Sequence, residues 1–203
     1  RAGSKAEMAL PDGTFVHLNA ATNLEYDVNN SKQRLVKLSG EAFFDVAKNP
    51  DCPFKVIIND LQIEVVGTSF NVKTYKKDIV ETSLLSGRIR ISGGSLPHEY
   101  TLSPGQKATY SAMDRTLRIS KADAHVEAGW RDNYLIFEST PLIDVIAQIE
   151  RWYGVEIRLH HKQIAQDLLS GSFRNESIQN VIRSLSIQYG FKYEIHKDII
   201  TIY

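Results

Sequence analysis

The chain has 203 residues, 42% of them hydrophobic, and its 24 Lys and Arg residues offset 24 Asp and Glu to a formal net charge of zero. That is material for one large or two small cores, and it argues against a phosphate-binding surface, because nucleic-acid binders carry a basic stripe and a pI well above neutrality. Cys52 stands alone, which excludes an internal disulfide and a cysteine metal site, and no apolar run approaches the roughly 20 residues of a membrane span.

Arg1–Ala9 reads as a polar, unpatterned leader, and the start at arginine rather than methionine suggests a piece of a longer protein. From Leu10 to about Ile119 the pattern is short strands with turn signals every eight to twelve residues. The spacing predicts strands at Phe15–Leu18, Leu24–Val28, Arg34–Leu38, Ala42–Val46, Phe54–Ile58, Leu61–Val66, Phe70–Lys73, Val80–Leu84, Arg88–Ile91, Lys107–Tyr110 and Leu117–Ile119. Asn59-Asp60 reads as a two-residue hairpin turn, since both residue types tolerate positive φ, and Asn29-Asn30 as another. Turn phrases at 10–13, 38–40, 85–87 and 102–105 each precede a strand. The fold class predicted for residues 10–122 is therefore mainly β, in stacked layers that form a sandwich or a short solenoid. Gly67 interrupts a strongly β run, which points to a bulge or a close backbone approach. The basic cluster Lys73–Lys77 reads as a solvated turn.

Between Ser120 and Asp132 the alternation stops, and the domain boundary is placed there. Trp130 opens the second domain, residues 130–203, where it is expected to pack against the first helix. A repeat organises this domain. Shifted by thirty-six residues, Leu142, Val145, Ile146 and Ile149 fall on Ile178, Val181, Ile182 and Leu185, and Tyr153-Gly154 falls on Tyr189-Gly190. Spacings of three and four give each copy one buried helical stripe. Thr140-Pro141 reads as N-cap and first helical residue, and Gly154 and Gly190 as left-handed stops. Alternating strands follow at Val155–Leu159 and Phe191–Ile195, and strands around Leu135–Phe137 and Phe173 precede. With Ile199–Tyr203 after the Lys197-Asp198 turn, the small α+β domain has the order β-α-β-β-α-β-β.

Little in the chain resembles catalytic chemistry. His160-His161 point to opposite faces of a strand and cannot share an ion; the other histidines scatter, and no HExxH spacing occurs. Glu41 and Asp45 share a strand face but read as an exposed polar edge. No Gly-x-Ser-x-Gly elbow, Walker loop or dinucleotide fingerprint is present. The expectation is a protein that is not an enzyme and uses no cofactor or metal.

Six phrases in order, at Leu10–Thr14, Leu38–Ala47, Pro53–Val56, Val66–Val72, Leu85–Ile89 and Leu102–Gln106, resemble the FecR family over roughly Ala9–Ile119. The tail, with Phe137, Pro141-Leu142 and Arg151-Trp152-Tyr153-Gly154, resembles the C-terminal domain that accompanies FecR domains in Bacteroidota-type proteins. Its doubled unit is similar to the secretin and TonB short N-terminal (STN) fold. The resemblance implies the periplasmic sensor of an inner-membrane anti-sigma factor. Such proteins hold a sigma factor through a cytoplasmic segment and receive a signal from the signalling domain of an outer-membrane TonB-dependent transporter. The partner-binding residues expected are Ile199, Ile200, Thr201, Ile202 and Tyr203, a run of strong β propensity with neither charge nor proline; the alternative is that this strand is internal and fully paired. The rival function is an envelope carbohydrate-binding or assembly module.

Overall fold

The structure, a computed structural model, describes residues 3–26, 34–160 and 162–203. The end of the predicted Leu24–Val28 strand, the Asn29-Asn30 turn and His161 lie outside these residues. The chain gathers into two compact units, Lys5–Ala128 and, together with Gly3 and Ser4, Gly129–Tyr203.

The first unit is built from β1 (Ala6–Ala9), β2 (Phe15–Leu18), β3 (Asn23–Tyr26), β4 (Arg34–Ser39), β5 (Glu41–Asp45), β6 (Phe54–Ile58), β7 (Leu61–Val65), β8 (Ser69–Lys73), β9 (Ile79–Ser86), β10 (Ile89–Gly93), β11 (Tyr100–Leu102), β12 (Gln106–Ser111) and β13 (Thr116–Lys121), followed by the short helix α1 (Ala124–Ala128). They form two sheets, β1-β2-β5-β8-β9-β12-β13 and β11-β10-β7-β6-β4-β3. Alternation decides which residues enter the core: β6 and β7 each bury their first, third and fifth side chains. Phe44 and Phe70 from the larger sheet stack with ring centroids 5.2 Å apart, and Phe54 from the smaller sheet meets Phe44 at 5.9 Å. Each of the three is fully buried, which stabilises by about 1.5–3 kcal/mol per side chain.

The unit is a two-layer sandwich whose chain changes sheet after every one or two strands. β4 and β6 run parallel because β5, in the other sheet, lies between them in sequence. The turn phrases at 38–40, 85–87 and 102–105 sit where the chain crosses between layers, whereas 10–13 closes the β1–β2 hairpin within one sheet. In the β6–β7 hairpin Asn59 alone of its pair takes a positive φ, of 54°.

Two strands escape the sequence reading. β1, within the stretch read as leader, pairs with β2 from Ala6↔Leu18 to Ala9↔Phe15, yet all four of its residues are exposed. An edge strand with every residue exposed has no apolar alternation to betray it. β11 is three residues long, too short for a period.

The second unit opens on a 3-10 turn, Gly129–Asp132, that packs on β14 (Tyr134–Pro141); α2 (Leu142–Tyr153) and β15 (Glu156–Leu159) follow. A second 3-10 turn, Lys162–Gln166, leads into β16 (Leu168–Arg174), α3 (Ile178–Tyr189), β17 (Tyr193–His196) and β18 (Ile199–Ile202). Equivalent strands of the two copies, β14 and β16, pair antiparallel, and the second sheet has the order β15-β18-β17. The stripes Leu142, Val145, Ile146, Ile149 and Val181, Ile182, Leu185 are buried, and α2 touches β14, β16 and β15, strands of both sheets.

Both helices end at a left-handed glycine, Gly154 (φ 70°) and Gly190 (φ 71°), whose N–H groups donate to the carbonyls of Glu150 and Ser186. The first helix begins one residue later than the sequence suggests. Pro141 (φ −55°, ψ 138°) is itself the N-cap, without a side-chain cap, and the Thr140 hydroxyl donates back to the Glu138 carbonyl. In the second copy the Ser177 hydroxyl caps the Asn180 N–H in the ordinary way.

Candidate functional site

The closing run is placed differently from the edge that its composition suggests. β18 pairs with β15 in parallel, from Glu156↔Ile199 to Leu159↔Ile202, and with β17 antiparallel, from Tyr193↔Ile202 to His196↔Ile199. Ile200 and Ile202 point into the core and Thr201 is half-buried. The Tyr203 N–H donates to the Lys192 carbonyl, and its ring stacks on His160 with centroids 5.7 Å apart. The reading of Ile199–Tyr203 as an open template is therefore corrected. The second strand of each copy needs a partner, and β18 supplies both. High β propensity without charge marks a strand buried on both sides as readily as an exposed one.

The reading of Glu41 and Asp45 as an exposed polar edge holds for Asp45 and is corrected for Glu41. Glu41 is buried in the middle of the larger sheet, where its oxygens accept hydrogen bonds from Asn19 Nδ2 (2.7 Å) and Asn71 Nδ2 (3.0 Å). It clamps β2, β5 and β8 together. Burial draws the neighbouring Lys5 ammonium down to about 8, against the opposing pull of Glu41. Asp45 is exposed and accepts from the Ser69 hydroxyl, so the two carboxylates do not form a unit. Among the described residues no three His, Cys, Asp or Glu side chains gather as a metal site. Trp130 is buried and Trp152 half-buried, so neither forms an exposed aromatic platform of the kind that sugars stack on.

Gly67 has no positive φ. A Cβ there would stand 2.8 Å from Cα and Cβ of Lys48, so the requirement is close backbone approach, beside a bulge at Ser69/Phe70.

Arg34 is the polar residue that sequence reasoning missed. It is 5% exposed. Its guanidinium donates to the carbonyls of Cys52 (2.6 Å), Ala47 (2.7 Å), Asn49 (3.3 Å) and Val66 (3.5 Å) and to Asp12 Oδ2 (3.1 Å), with its carbon 5.8 Å from the Phe54 ring centre. It draws three loops onto one point. The available signal was its phase, since Arg34 shares the strand face of Val36 and Leu38.

Surface able to meet a partner is unevenly divided between the copies. Phe137 is 1% exposed, but its counterpart Phe173 is only half-buried. Ala147, Gln148, Arg151 and Trp152 of α2 are half-buried, whereas their counterparts Arg183, Ser184, Ile187 and Gln188 of α3 are exposed, Ile187 to 76%. A groove runs between β16 and α3, lined by Phe173, Glu176, Asn180, Arg183, Ser184 and Ile187.

Comparison with known proteins bears on both units. Two family profiles match in order, FecR protein over residues 1–90 and FecR, C-terminal over residues 134–202. Two crystal structures of a candidate anti-sigma factor from Parabacteroides distasonis ATCC 8503 are similar to the whole chain, each 30% identical over 100% of it. The TM-scores are 0.89 and 0.88, and the matches take in 96% and 95% of those chains. No curated protein sequence matches.

Proposed function

The chain belongs to the FecR family, and we propose that it is the periplasmic sensor region of a membrane-anchored anti-sigma factor. In this reading the repeat unit receives the signalling domain of an outer-membrane TonB-dependent transporter. The signal passes by protein–protein contact to a sigma factor held by a cytoplasmic segment outside this sequence. The observation that carries the reading is the end-to-end likeness to the Parabacteroides protein, which spans both units in one arrangement of sequence. Binding shifts such a regulator only through different affinities for its holding and releasing states.

Calorimetric titration of isolated transporter signalling domains against the full chain tests the reading. Saturable binding that is lost when the repeat unit is deleted, with sigma-dependent transcription then unresponsive to the transporter's substrate, is the expected result. No binding by any envelope transporter domain overturns it.

A further inference from the structure

Residues 135–159 of the repeat unit have counterparts thirty-six residues on, at 171–195, so the first copy serves as a control for the second. The second copy has the barer helix face and the less covered phenylalanine. At the position of Ala147 it carries Arg183, which makes no ion pair or hydrogen bond among the described residues. The Glu176 carboxylate in the same groove is occupied by Asn180 Nδ2 at 2.9 Å.

The strand edges of the unit differ in the same direction. β15 carries Glu156 and Arg158, paired with each other at 2.7 Å, and β17 carries Glu194 and His196. Charges of this kind discourage strand addition. β14 is bent by a bulge next to Ser139, at φ 44°. β16, Leu-Leu-Ser-Gly-Ser-Phe-Arg, has no charge before its last residue, and five of its seven residues are exposed. It pairs with β14 along one side and with no other strand among the described residues. At Gly171 no atom lies within 4 Å of where a Cβ would stand.

We propose that the open edge of β16, with the groove against α3, is a docking site for an extended segment of a partner protein. That segment would add as a third strand to β14-β16. Its alternate side chains would face α3, a carboxylate meeting Arg183 and an apolar residue lying between Phe173 and Ile187. The assignment rests on the proposed role of the repeat unit as receiver, and it names the surface and the chemistry recognised there.

The test uses the isotope-labelled full chain and two short peptides of alternating Thr and Val, one with a central Glu and one with a central Lys, followed by amide chemical shifts. The Glu peptide should shift the amides of Leu168–Arg174 and of α3. Arg183→Glu should weaken it about tenfold and reverse the preference towards the Lys peptide. Ile187→Asp should weaken both peptides with the thermal melt unchanged. Shifts centred on β15, β17 or β14, equal binding of both peptides, or no saturable shift at millimolar peptide overturns the proposal. A parallel titration with transporter signalling domains separates the two claims. Equal binding to wild type and to Arg183→Glu removes the groove and leaves the receiver role standing. Arg183-dependent binding of the Glu peptide with no transporter domain bound keeps the groove and removes that role.

Discussion

The two units solve the same problem, burial of a turning backbone, by different means. The buried polar residues Thr14, Asn19, Arg34, Glu41, Thr68, Asn71, Thr82, Ser83 and Ser111 all belong to the sandwich, and among the described residues the repeat unit buries no residue of these types. In the sandwich the chain crosses between layers again and again, which leaves corner carbonyls and N–H groups inside, where each needs a partner. Arg34 gathers four such carbonyls, and Thr68 accepts and donates across to Arg88. The repeat unit ends its helices on glycines whose own N–H groups satisfy the last turn, and its apolar stripes do the rest. Polar pins hold one unit and backbone caps hold the other.

The severest way to break this contrast is to remove the central pin. Arg34→Met should cost about 3–5 kcal/mol, because it removes the cation from the Asp12 carboxylate and the donor from several carbonyls. Denaturant melts followed by tryptophan fluorescence, which reports on Trp130 and Trp152 of the repeat unit, should move far less than melts followed by far-ultraviolet strand signal. Coincident shifts would show that the units do not differ in what holds them.

Gly67→Val probes a corner without touching a polar group. With Lys48 backbone 2.8 Å from the new Cβ, the sandwich should lose about 1–3 kcal/mol. A melt within ~0.5 kcal/mol of the parent, the range of neutral surface changes, would mean that the corner gives way freely.

These two positions show what was legible in the sequence. The Gly67 constraint was readable because glycine inside a β run is anomalous locally. The phase of Arg34 signals its burial, but its role was not legible, because its partners lie up to 32 residues away and nothing in Arg-Leu-Val-Lys-Leu announces them. Apart from β1 and β11, the strands, the helix stripes and both glycine stops follow from patterns along the chain, which are a local property. The placement of Ile199–Tyr203 depends on which strands are left to pair, a property of the finished sheet. The same limit hid the groove at α3, since the sequence gives both helices similar stripes and only the packed structure shows which outer face stays bare.

A smaller effect sharpens the comparison inside the repeat unit. The Tyr153 hydroxyl donates to the Glu176 carbonyl at 2.9 Å, whereas the buried Tyr189 hydroxyl has no partner among the described residues. Tyr153→Phe should cost about 1 kcal/mol and Tyr189→Phe close to nothing or a slight gain. Equal losses in thermal melts would place an unseen partner at Tyr189.

The mildest test returns to the sandwich. Burial pushes the Glu81 carboxyl up, but the Lys107 and Lys73 ammonium groups outweigh it and hold the carboxyl below its ordinary value of 4.5. A depressed carboxyl stabilises above that value and ceases to do so as the pH falls through its lowered one. Glu81→Gln should therefore be less stable than the parent at neutral pH by under about 1 kcal/mol, with the gap closing below pH 4.5. A gap that is constant with pH would assign the loss to packing.

The central place of β18 also sets a timetable. A ribosome makes β15 and β17 before the strand that joins them, so during synthesis the helices can form while two sheet edges wait unfilled. Emergence of Ile199–Ile202 is then the event that seals the unit, and until it happens those edges are open to pairing with a neighbouring nascent chain.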